Sequence, residues 1–294
     1  MNNLEKHSFN VVKTIEELRK ARKQLPLPMG LVPTMGYLHE GHLSLVRRAR
    51  SECASVVVSI FVNPTQFGPQ EDLQTYPRDI PRDLQLLEPE GIDLLWLPDN
   101  HIMYPEEFQT WVTVEKVTQG LEGAKRPGHF RGVATVVAKL FNCVQPDKAY
   151  FGQKDAQQAV VIQRMVSDLN FPIKIVVCPI VREVDGLAMS SRNRYLTAAE
   201  RQNAAVLYRS LMAAYQAFVE GERQAERLRK IMTEIIQLEP RAQLEYVSCA
   251  DPINLEEMHG PVNHALLSLA VYFGNTRLID NMIIGSDYDV RVDR

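Results

Sequence analysis

The chain has 294 residues, of which 45% are hydrophobic and 23% charged, and its formal net charge is -3. This composition is that of an ordinary globular protein, long enough for one large or two smaller domains with buried cores. The charge excludes overall attraction to nucleic acid, and no apolar run has the length of a signal peptide or membrane span. The four cysteines are far apart and lack metal-site spacing. We therefore expect a cytoplasmic protein with reduced thiols and neither a nucleic-acid nor a membrane partner.

Helices and strands alternate in the first part of the chain. The predicted elements are a helix opened by the capping box Thr14–Glu17 and running to about 25, a strand at 31–34, a helix to about 52, a strand at 55–62, a helix at 79–88 and a strand at 92–97. The run 55–62 is nearly apolar on both faces, as is typical of a central parallel strand. The order predicts an α/β fold with a Rossmann-like, doubly wound parallel sheet, where ligands bind beyond the carboxyl ends of the strands.

The chain changes character after Asn193. The elements predicted beyond 97 are a short strand at 111–114, a loop at 128–132, helices at 133–144 and 156–169, a strand at 173–181, helices at 197–220 and 222–238, and strands at 244–250, 265–273 and 277–284. Gly274-Asn275 predicts a hairpin turn between the last two strands. We predict an α/β domain over 1–182 and a smaller α+β domain over 183–294.

The segment Pro33–His42 joins a strand to a helix and contains two histidines. His39 and His42 are three residues apart, so both can face the same way once the helix has begun. A helix N-terminus offers free N–H groups to a phosphate, and each imidazole can donate to an anionic oxygen and hold a proton near neutral pH. Gly36 and Gly41 allow close approach of a ligand to the backbone. We interpret this turn as a phosphate site.

Two other interpretations of the turn are a plain helix cap with solvated histidines and half of a zinc site. The plain cap is the commoner explanation of an isolated His-x-x-His pair. The sequence His-Glu-Gly-His differs from the zinc motif His-Glu-x-x-His, and no cluster of cysteines or histidines lies nearby in the sequence. The position between a strand and a helix favours the phosphate interpretation over both.

Three further motifs could contribute to the same site. The amides of Asn63-Pro-Thr-Gln66 can bind hydroxyls and carboxylates, although a simple Asn-Pro turn explains the motif equally well. In Phe151–Gln158, Lys154 could neutralise phosphate charge and Asp155 could accept from a ribose hydroxyl, while a solvated charged turn is the alternative. Met189-Ser-Ser-Arg192 could clamp a phosphate, and this signal is weak by itself.

Together, these motifs resemble the pantoate–β-alanine ligase (pantothenate synthetase) family of the nucleotidyltransferase superfamily, which shares its histidine signature with class I aminoacyl-tRNA synthetases. The resemblance covers essentially the whole chain. It rests on the segments PTMGYLHEGH (33–42), FVNPTQFG (61–68), GHFRGVATVV (128–137), FGQKDAQQ (151–158) and DGLAMSSRN (185–193). It implies an ATP-dependent condensation of (R)-pantoate with β-alanine, through a pantoyl adenylate, that yields pantothenate, AMP and diphosphate.

The resemblance also implies roles for particular residues. His42 would be the catalytic acid, with His39 and Lys154 also catalytic. Gln66 and Gln158 would hold pantoate, and Gln66 would also contact β-alanine. The implied ATP-binding residues are Met35, Gly36, Tyr37, Leu38, His39, Glu40, Gly41, His42, Gly152, Gln153, Lys154, Asp155, Val181, Met189, Ser190, Ser191 and Arg192. Magnesium would accompany the phosphates, with Asp83 as an indirect ligand, and the protein would be a homodimer.

The synthetase signature Lys-Met-Ser-Lys-Ser is represented here by Met-Ser-Ser-Arg, so we expect Lys154 to supply the phosphate-binding ammonium. The C-terminal domain is expected to be a lid that protects the hydrolysable adenylate from water. One alternative is another adenylyl-transferring enzyme, such as one that forms a dinucleotide and has no need of Gln66 and Gln158. The other is a non-enzymatic nucleotide sensor or RNA-binding relative, which would lack Lys154 or His42.

Overall fold

The computed structural model describes residues 7–69 and 71–285. Its helices are α1 (Ile15–Arg22), α2 (Glu40–Glu52), α3 (Ile80–Leu87), α4 (Asn100–Met103), α5 (Leu121–Lys125), α6 (His129–Val144), α7 (Ala156–Asp168), α8 (Ala198–Ala204), α9 (Val206–Val219) and α10 (Ala225–Gln237). Its strands are β1 (Asn10–Val12), β2 (Met29–Thr34), β3 (Ser55–Ile60), β4 (Leu94–Trp96), β5 (Lys148–Gly152), β6 (Lys174–Cys178), β7 (Ala242–Ala250), β8 (His264–Phe273) and β9 (Thr276–Gly285).

The first six strands form one parallel sheet in the order β1-β4-β3-β2-β5-β6. The chain builds the sheet outward from β2 through β3 to β4, and then continues on the other side of β2 with β5 and β6. The order therefore reverses between β2 and β5. In a sheet of this kind a crevice opens at the carboxyl ends of the strands where the order reverses, and ligands bind there.

Helices cover both faces of the parallel sheet because its strands are apolar on both sides. Leu31 of β2 and Val57 of β3 belong to a core that includes residues of α1, α6 and α7. The neighbouring Val32 and Val58 belong to the opposite core, with α2 and α3. Successive side chains of a strand point to opposite faces, so this split confirms the predicted doubly wound arrangement.

The C-terminal part is a three-stranded antiparallel sheet, β7-β8-β9, packed against α9 and α10 around its own apolar core. Phe273 pairs with Thr276, so the predicted hairpin turn at Gly274-Asn275 is confirmed, with Gly274 at φ +55°. The predicted α+β character is therefore confirmed. The predicted division at 182/183 falls in the connection between β6 and α8, and it stays a prediction.

Two predicted elements near the sheet edge are wrong. Residues 111–114 form no strand, because they run along α6, where the Val112 N–H donates to Thr135 Oγ1 at 3.0 Å instead of to a neighbouring strand. Residues 129–132 are helical, and only Gly128, at φ +84°, precedes the helix. The two glycines led to the loop prediction, whereas Gly132 lies inside the helix and packs closely against the backbone of Thr65.

Several boundaries also differ from the sequence prediction. The predicted helix 197–220 is two helices, α8 and α9, separated at Ala205. The strands predicted at 92–97 and 173–181 are shorter in the structure, β4 and β6, because only these residues pair with a neighbouring strand. In the described ranges, no helix combines the length and apolar character needed to span a membrane.

Candidate active site

The turn after β2 is held in place by a buried carboxylate. Asp83 of α3 is fully buried, and its two oxygens accept the backbone N–H groups of Tyr37 and Leu38, each at 2.7 Å. Gly36 has φ +81°, and a Cβ there would lie 3.1 Å from Asp83 Oδ2 and 2.9 Å from Ile60 Cγ2. The close approach therefore requires glycine at position 36.

These contacts give Asp83 a structural role that the sequence interpretation did not include. Burial raises the pKa of its carboxyl, while the two backbone donors and the Arg82 guanidinium oppose that rise. Both oxygens are already engaged, and Asp83 is not among the residues that line the cleft. The geometry makes Asp83 the support of the turn, and its role as an indirect magnesium ligand stays a prediction.

The two histidines cap the helix that follows the turn. His39 is the N-cap of α2, and its Nδ1 accepts the Gly41 N–H at 3.2 Å. His42 Nδ1 accepts the His39 N–H at 3.3 Å, and the ring centroids lie 4.0 Å apart. A neutral imidazole that accepts at Nδ1 carries its proton at Nε2. Both rings can therefore donate from Nε2.

Both histidines have lowered pKa values. Burial, helped by the positive charge of Lys154, lowers the pKa of His39 to about 4. Burial, then His39 and Lys154, hold the pKa of His42 well below its usual range. The two rings are therefore neutral at pH 7, and they do not hold the second proton that the sequence interpretation allowed. They act as hydrogen-bond donors rather than as cations.

The histidines open onto a cleft of about 220 Å³ at the carboxyl ends of β2 and β5. The cleft therefore lies where the strand order reverses. Fourteen of the predicted site residues line it: Met35, His39, Gly41, His42, Gln66, Gly152, Lys154, Asp155, Gln158, Val181, Met189, Ser190, Ser191 and Arg192. The remaining predicted ATP-site residues, Gly36, Tyr37, Leu38, Glu40 and Gln153, are not among its lining.

The amide of Gln66 is oriented by its own loop. Asn63 is buried, and its Nδ2 donates to Gln66 Oε1 at 2.9 Å and to the carbonyl of Gly132 at 3.2 Å. Since the Gln66 oxygen accepts this bond, its NH₂ group remains available as a donor. A Cβ on Gly132 would lie 2.3 Å from the carbonyl oxygen of Thr65, so the contact between α6 and this loop depends on glycine.

Lys154 enters the cleft from the turn after β5. The turn is fixed from the C-terminal sheet, because Asn281 Nδ2 donates to the carbonyls of Gln153 and Lys154 at 3.0 and 2.9 Å. The ammonium of Lys154 lies 3.9 Å from Asp155 Oδ1. Lys154 therefore faces the same cleft as His39 and His42, as the sequence interpretation requires.

The Met189–Arg192 segment closes the cleft from the C-terminal side. Ser191 Oγ donates to the carbonyl of Tyr37 at 3.3 Å, across the two parts of the chain. Arg192 donates from Nε and Nη2 to the carboxylate of Asp72 at 2.9 and 2.7 Å. The segment predicted to clamp a phosphate thus lines the cleft, and its guanidinium is paired with the carboxylate of Asp72.

Three of the lining residues that had no role in the sequence interpretation make polar or cation–π contacts in the cleft. Arg126 and His129 stand beside Gln66, and His129 Nδ1 donates to its carbonyl at 2.7 Å because its Nε2 accepts from Arg126. The Tyr76 ring lies under the Arg192 guanidinium, and the distance from the ring centroid to Arg192 Cζ is 5.8 Å. His129 belongs to the quoted segment 128–137, which was the available signal, whereas nothing local marks Tyr76 or Arg126.

The cleft lining combines hydrogen-bond donors with two side-chain amides. Two neutral imidazoles, an ammonium and a guanidinium suit a polyanion, and the amides of Gln66 and Gln158 suit a small polar acid. Within 7–69 and 71–285, no group of three or more histidine, cysteine or acidic side chains could hold a metal ion. The fold and this cleft define an α/β protein of the nucleotidyltransferase type.

Comparisons with known proteins narrow this class. The pantoate-beta-alanine ligase family model matches residues 10–283. A pantothenate synthetase of Roseiflexus sp. (strain RS-1) is 60% identical over 276 residues, which are 94% of this chain and 99% of that protein. The crystal structure of pantothenate synthetase from Thermus thermophilus has a TM-score of 0.89 and 49% identity, with 93% of this chain and 99% of that chain covered.

A second solved structure carries ligands. It is the pantoate-beta-alanine ligase of Francisella tularensis complexed with beta-gamma ATP and beta-alanine, with a TM-score of 0.77 and 34% identity, covering 94% of this chain and 98% of that chain. The chain described here belongs to the pantoate–β-alanine ligase family, and it is a ligase.

Proposed function

We propose that the protein condenses (R)-pantoate with β-alanine at the expense of ATP, forming pantothenate, AMP and diphosphate through pantoyl adenylate. The observation that carries this proposal is the convergence of His39, His42 and Lys154 with Gln66 and Gln158 in a single cleft. A carboxylate resists attack by an amine because oxide is a poor leaving group. Joining it to AMP first supplies a good one.

In the first step, the pantoate carboxylate attacks the α-phosphorus of ATP, and negative charge accumulates on the departing diphosphate. The Nε2–H groups of His39 and His42 and the ammonium of Lys154 are positioned to stabilise that charge. Preorganised donors of this kind are each worth roughly 10²–10³ in rate. Since both imidazoles are already neutral donors, they need no reorganisation as the charge develops.

Pantoate is held on the amide side of the cleft. The NH₂ group of Gln66, left free by its bond from Asn63, donates to the pantoate carboxylate or hydroxyl. Gln158, from α7, contributes the second amide of the site. In the second step, the amine of β-alanine attacks the activated carbonyl beside Gln66, and AMP leaves. A dinucleotide-forming enzyme would have no use for these two amides.

Magnesium belongs to the proposal as the counter-ion of the ATP phosphates. The oxygens of Asp83 are occupied by backbone donors, so the described residues provide no carboxylate site prepared for the ion there. Mg²⁺ commonly binds through substrate phosphates and few protein groups. We also propose a cytoplasmic homodimer, on the basis of the family resemblance.

Omission of single substrates tests this function. With ATP, pantoate, β-alanine and Mg²⁺ together, we expect stoichiometric AMP and pantothenate by coupled assay and mass spectrometry. With β-alanine omitted, diphosphate and pantoyl adenylate should form in a single turnover. AMP release that does not depend on pantoate, or a product that retains AMP, would contradict the proposal.

A further inference from the structure

Two consecutive acidic residues hold the two arginines of the cleft. Glu71 accepts from Arg126 Nε and Nη2, both at 2.7 Å. Asp72 accepts from Arg192 Nε and Nη2, at 2.9 and 2.7 Å. Each pair is therefore bidentate, the strongest geometry for a guanidinium and a carboxylate. The segment 71–72 thus binds Arg126 of the α/β part and Arg192 of the C-terminal part.

The arginines of both pairs line the substrate cleft. Arg126 and Arg192 are both lining residues, whereas Glu71 and Asp72 are not. All four side chains are largely buried, with exposures of 15% and 26% for Arg126 and Glu71 and of 28% and 23% for Arg192 and Asp72. The carboxylates occupy the Nε–Nη2 edge of each guanidinium, the edge that also fits phosphate and carboxylate ligands.

Charge balance indicates what happens when substrates bind. Arg126, Lys154 and Arg192 are the arginines and lysines among the lining residues; Glu71 and Asp72 neutralise the two arginines, and Asp155 of the lining lies 3.9 Å from the Lys154 ammonium. The imidazoles of His39 and His42 add no charge. A triphosphate and a carboxylate bring several negative charges into this cleft, so they bind well only if the guanidinium charges become available.

We propose that Glu71 and Asp72 form an anion-mimicking latch that substrates displace. The triphosphate of ATP takes Arg192 from Asp72. The pantoate carboxylate takes Arg126 from Glu71, because the Arg126 guanidinium already donates to the carbonyl of Gln66, at 3.3 Å. This inference rests on the proposed function, and it assigns a role to two residues that do not themselves belong to the cleft lining.

The latch also couples the two substrates. Glu71 and Asp72 are neighbours in the chain, so release of one carboxylate removes a tether from the other. The first substrate to bind therefore lowers the cost of displacing the second carboxylate. The expected consequence is that pantoate tightens ATP binding, and that ATP tightens pantoate binding by the same factor.

Calorimetric titration of ATP into the pantoate-free protein tests the latch. We expect Asp72→Asn to lower the Kd for ATP by about tenfold, because the neutral amide competes less well than a carboxylate for the Arg192 fork. Likewise, Glu71→Gln should lower the Kd for pantoate by about tenfold. In each variant, the mutual tightening of ATP and pantoate seen in the wild type should be largely lost.

Glu90→Gln is the matched control. Glu90 makes a similar bidentate pair with Arg47, at 2.9 and 2.7 Å, neither residue lines the cleft, and the substitution changes the net charge equally. It should leave both Kd values unchanged. Weaker or unchanged ATP binding by Asp72→Asn would overturn the latch, with weaker binding indicating that Asp72 merely orients Arg192. If the wild type forms the adenylate but the variants do not behave as expected, the latch alone is refuted. If the wild type forms no adenylate, the proposed function is refuted.

Discussion

The two histidines of the turn are neutral hydrogen-bond donors. The Nδ1 atoms of His39 and His42 are used to cap α2, so their protons lie at Nε2, and the low pKa values keep both rings uncharged at pH 7. Under the proposed function, the positive charge offered to the phosphates therefore comes from Lys154 and, once Asp72 is displaced, from Arg192. This division makes the lysine the more sensitive position for chemistry on a polyanion.

We expect Lys154→Ala to slow adenylate formation by at least about a hundredfold. The fold should be retained, because Asn281 binds the backbone carbonyl of Lys154 and not its ammonium. Single-turnover release of diphosphate from ATP and pantoate measures the effect. Lys174→Ala, an exposed lysine at the amino end of β6, is the control and should be fully active. Near-normal diphosphate release by Lys154→Ala would refute the role of the ammonium.

The buried ring of His129 should make stability depend on pH. Burial, together with the charge of Arg126, lowers its pKa from 6.5 to about 4. The unfolded chain therefore binds a proton at this ring below about pH 6.5, whereas the folded protein binds it only near pH 4. The contribution of the ring to stability is therefore largest above pH 6.5 and is lost as the pH is lowered. Between pH 7 and 5, this residue alone should account for about 2 kcal/mol of the loss.

Urea unfolding at pH 7 and pH 5 measures this contribution as a difference. His129→Asn, whose amide can still donate to the Gln66 carbonyl, should show a pH-dependent loss smaller by about 2 kcal/mol than that of the wild type. The exposed His101→Asn should lose as much as the wild type. An identical pH dependence in His129→Asn and wild type would show that the ring is not the source.

At the scale of elements, the site depends on how closely α6 approaches the Pro64–Gln66 turn. Asn63 links Gln66 to the carbonyl of Gly132, in the first turn of the helix. A methyl group at position 132 would lie 2.3 Å from the Thr65 carbonyl oxygen and 2.6 Å from its carbon. Backbone atoms cannot move aside as the end of a flexible side chain can. The added methyl group would therefore force α6 and the Pro64–Gln66 turn apart.

We therefore expect Gly132→Ala to displace Gln66 and to raise the KM for pantoate by about tenfold or more, since loss of a positioned polar contact costs at least that factor. The KM for ATP should change much less, because the histidine turn is held separately by Asp83. Gly120→Ala is a suitable control, since a Cβ there meets no atom within 4 Å. Equal changes in both KM values would indicate general damage to the fold.

At the scale of the whole molecule, buried ion pairs join the α/β part to the C-terminal sheet. Arg277 of β9 donates to both oxygens of Glu122 of α5 at 2.7 Å, and also to Glu245 of β7 at 2.6 Å. Arg182 pairs with the fully buried Asp280. These contacts fix the C-terminal sheet beside the turn that carries Lys154.

We expect Arg277→Ala to reduce the free energy of unfolding by about 3–5 kcal/mol, because it removes both guanidinium hydrogen bonds from the buried carboxylate of Glu122. The double substitution Arg277→Met with Glu122→Gln should recover part of this loss, since no unpaired charge then remains at Glu122. Urea unfolding followed by circular dichroism provides the measurement. Arg164→Ala, which breaks an exposed pair with Asp168, should cost less than about 1 kcal/mol. A similar loss in both single variants would contradict the argument.

The sequence by itself determined the class of fold and most of the cleft. The apolar β-branched run that became β3, the capping boxes and the hairpin glycine are local signals, because they act within one or two turns of the chain. The motifs around His39, Gln66, Lys154 and Met189 predicted the cleft for a related reason: parallel strands place the residues that follow them at one edge of the sheet. The resemblance to a family then supplied the reaction.

Only the tertiary structure decided the rest, because it depends on neighbours distant in sequence. Residues 111–114 have a strand-like pattern, yet they lie against α6, where Thr135 Oγ1 accepts the Val112 N–H. Asp83 holds the histidine turn, because its oxygens accept the N–H groups of Tyr37 and Leu38, which lie more than 40 residues away in the sequence. The pairing of Arg192 with Asp72 joins residues 120 positions apart. Hydrogen bonds and desolvation at such contacts depend on which groups folding brings together, and no local pattern encodes that.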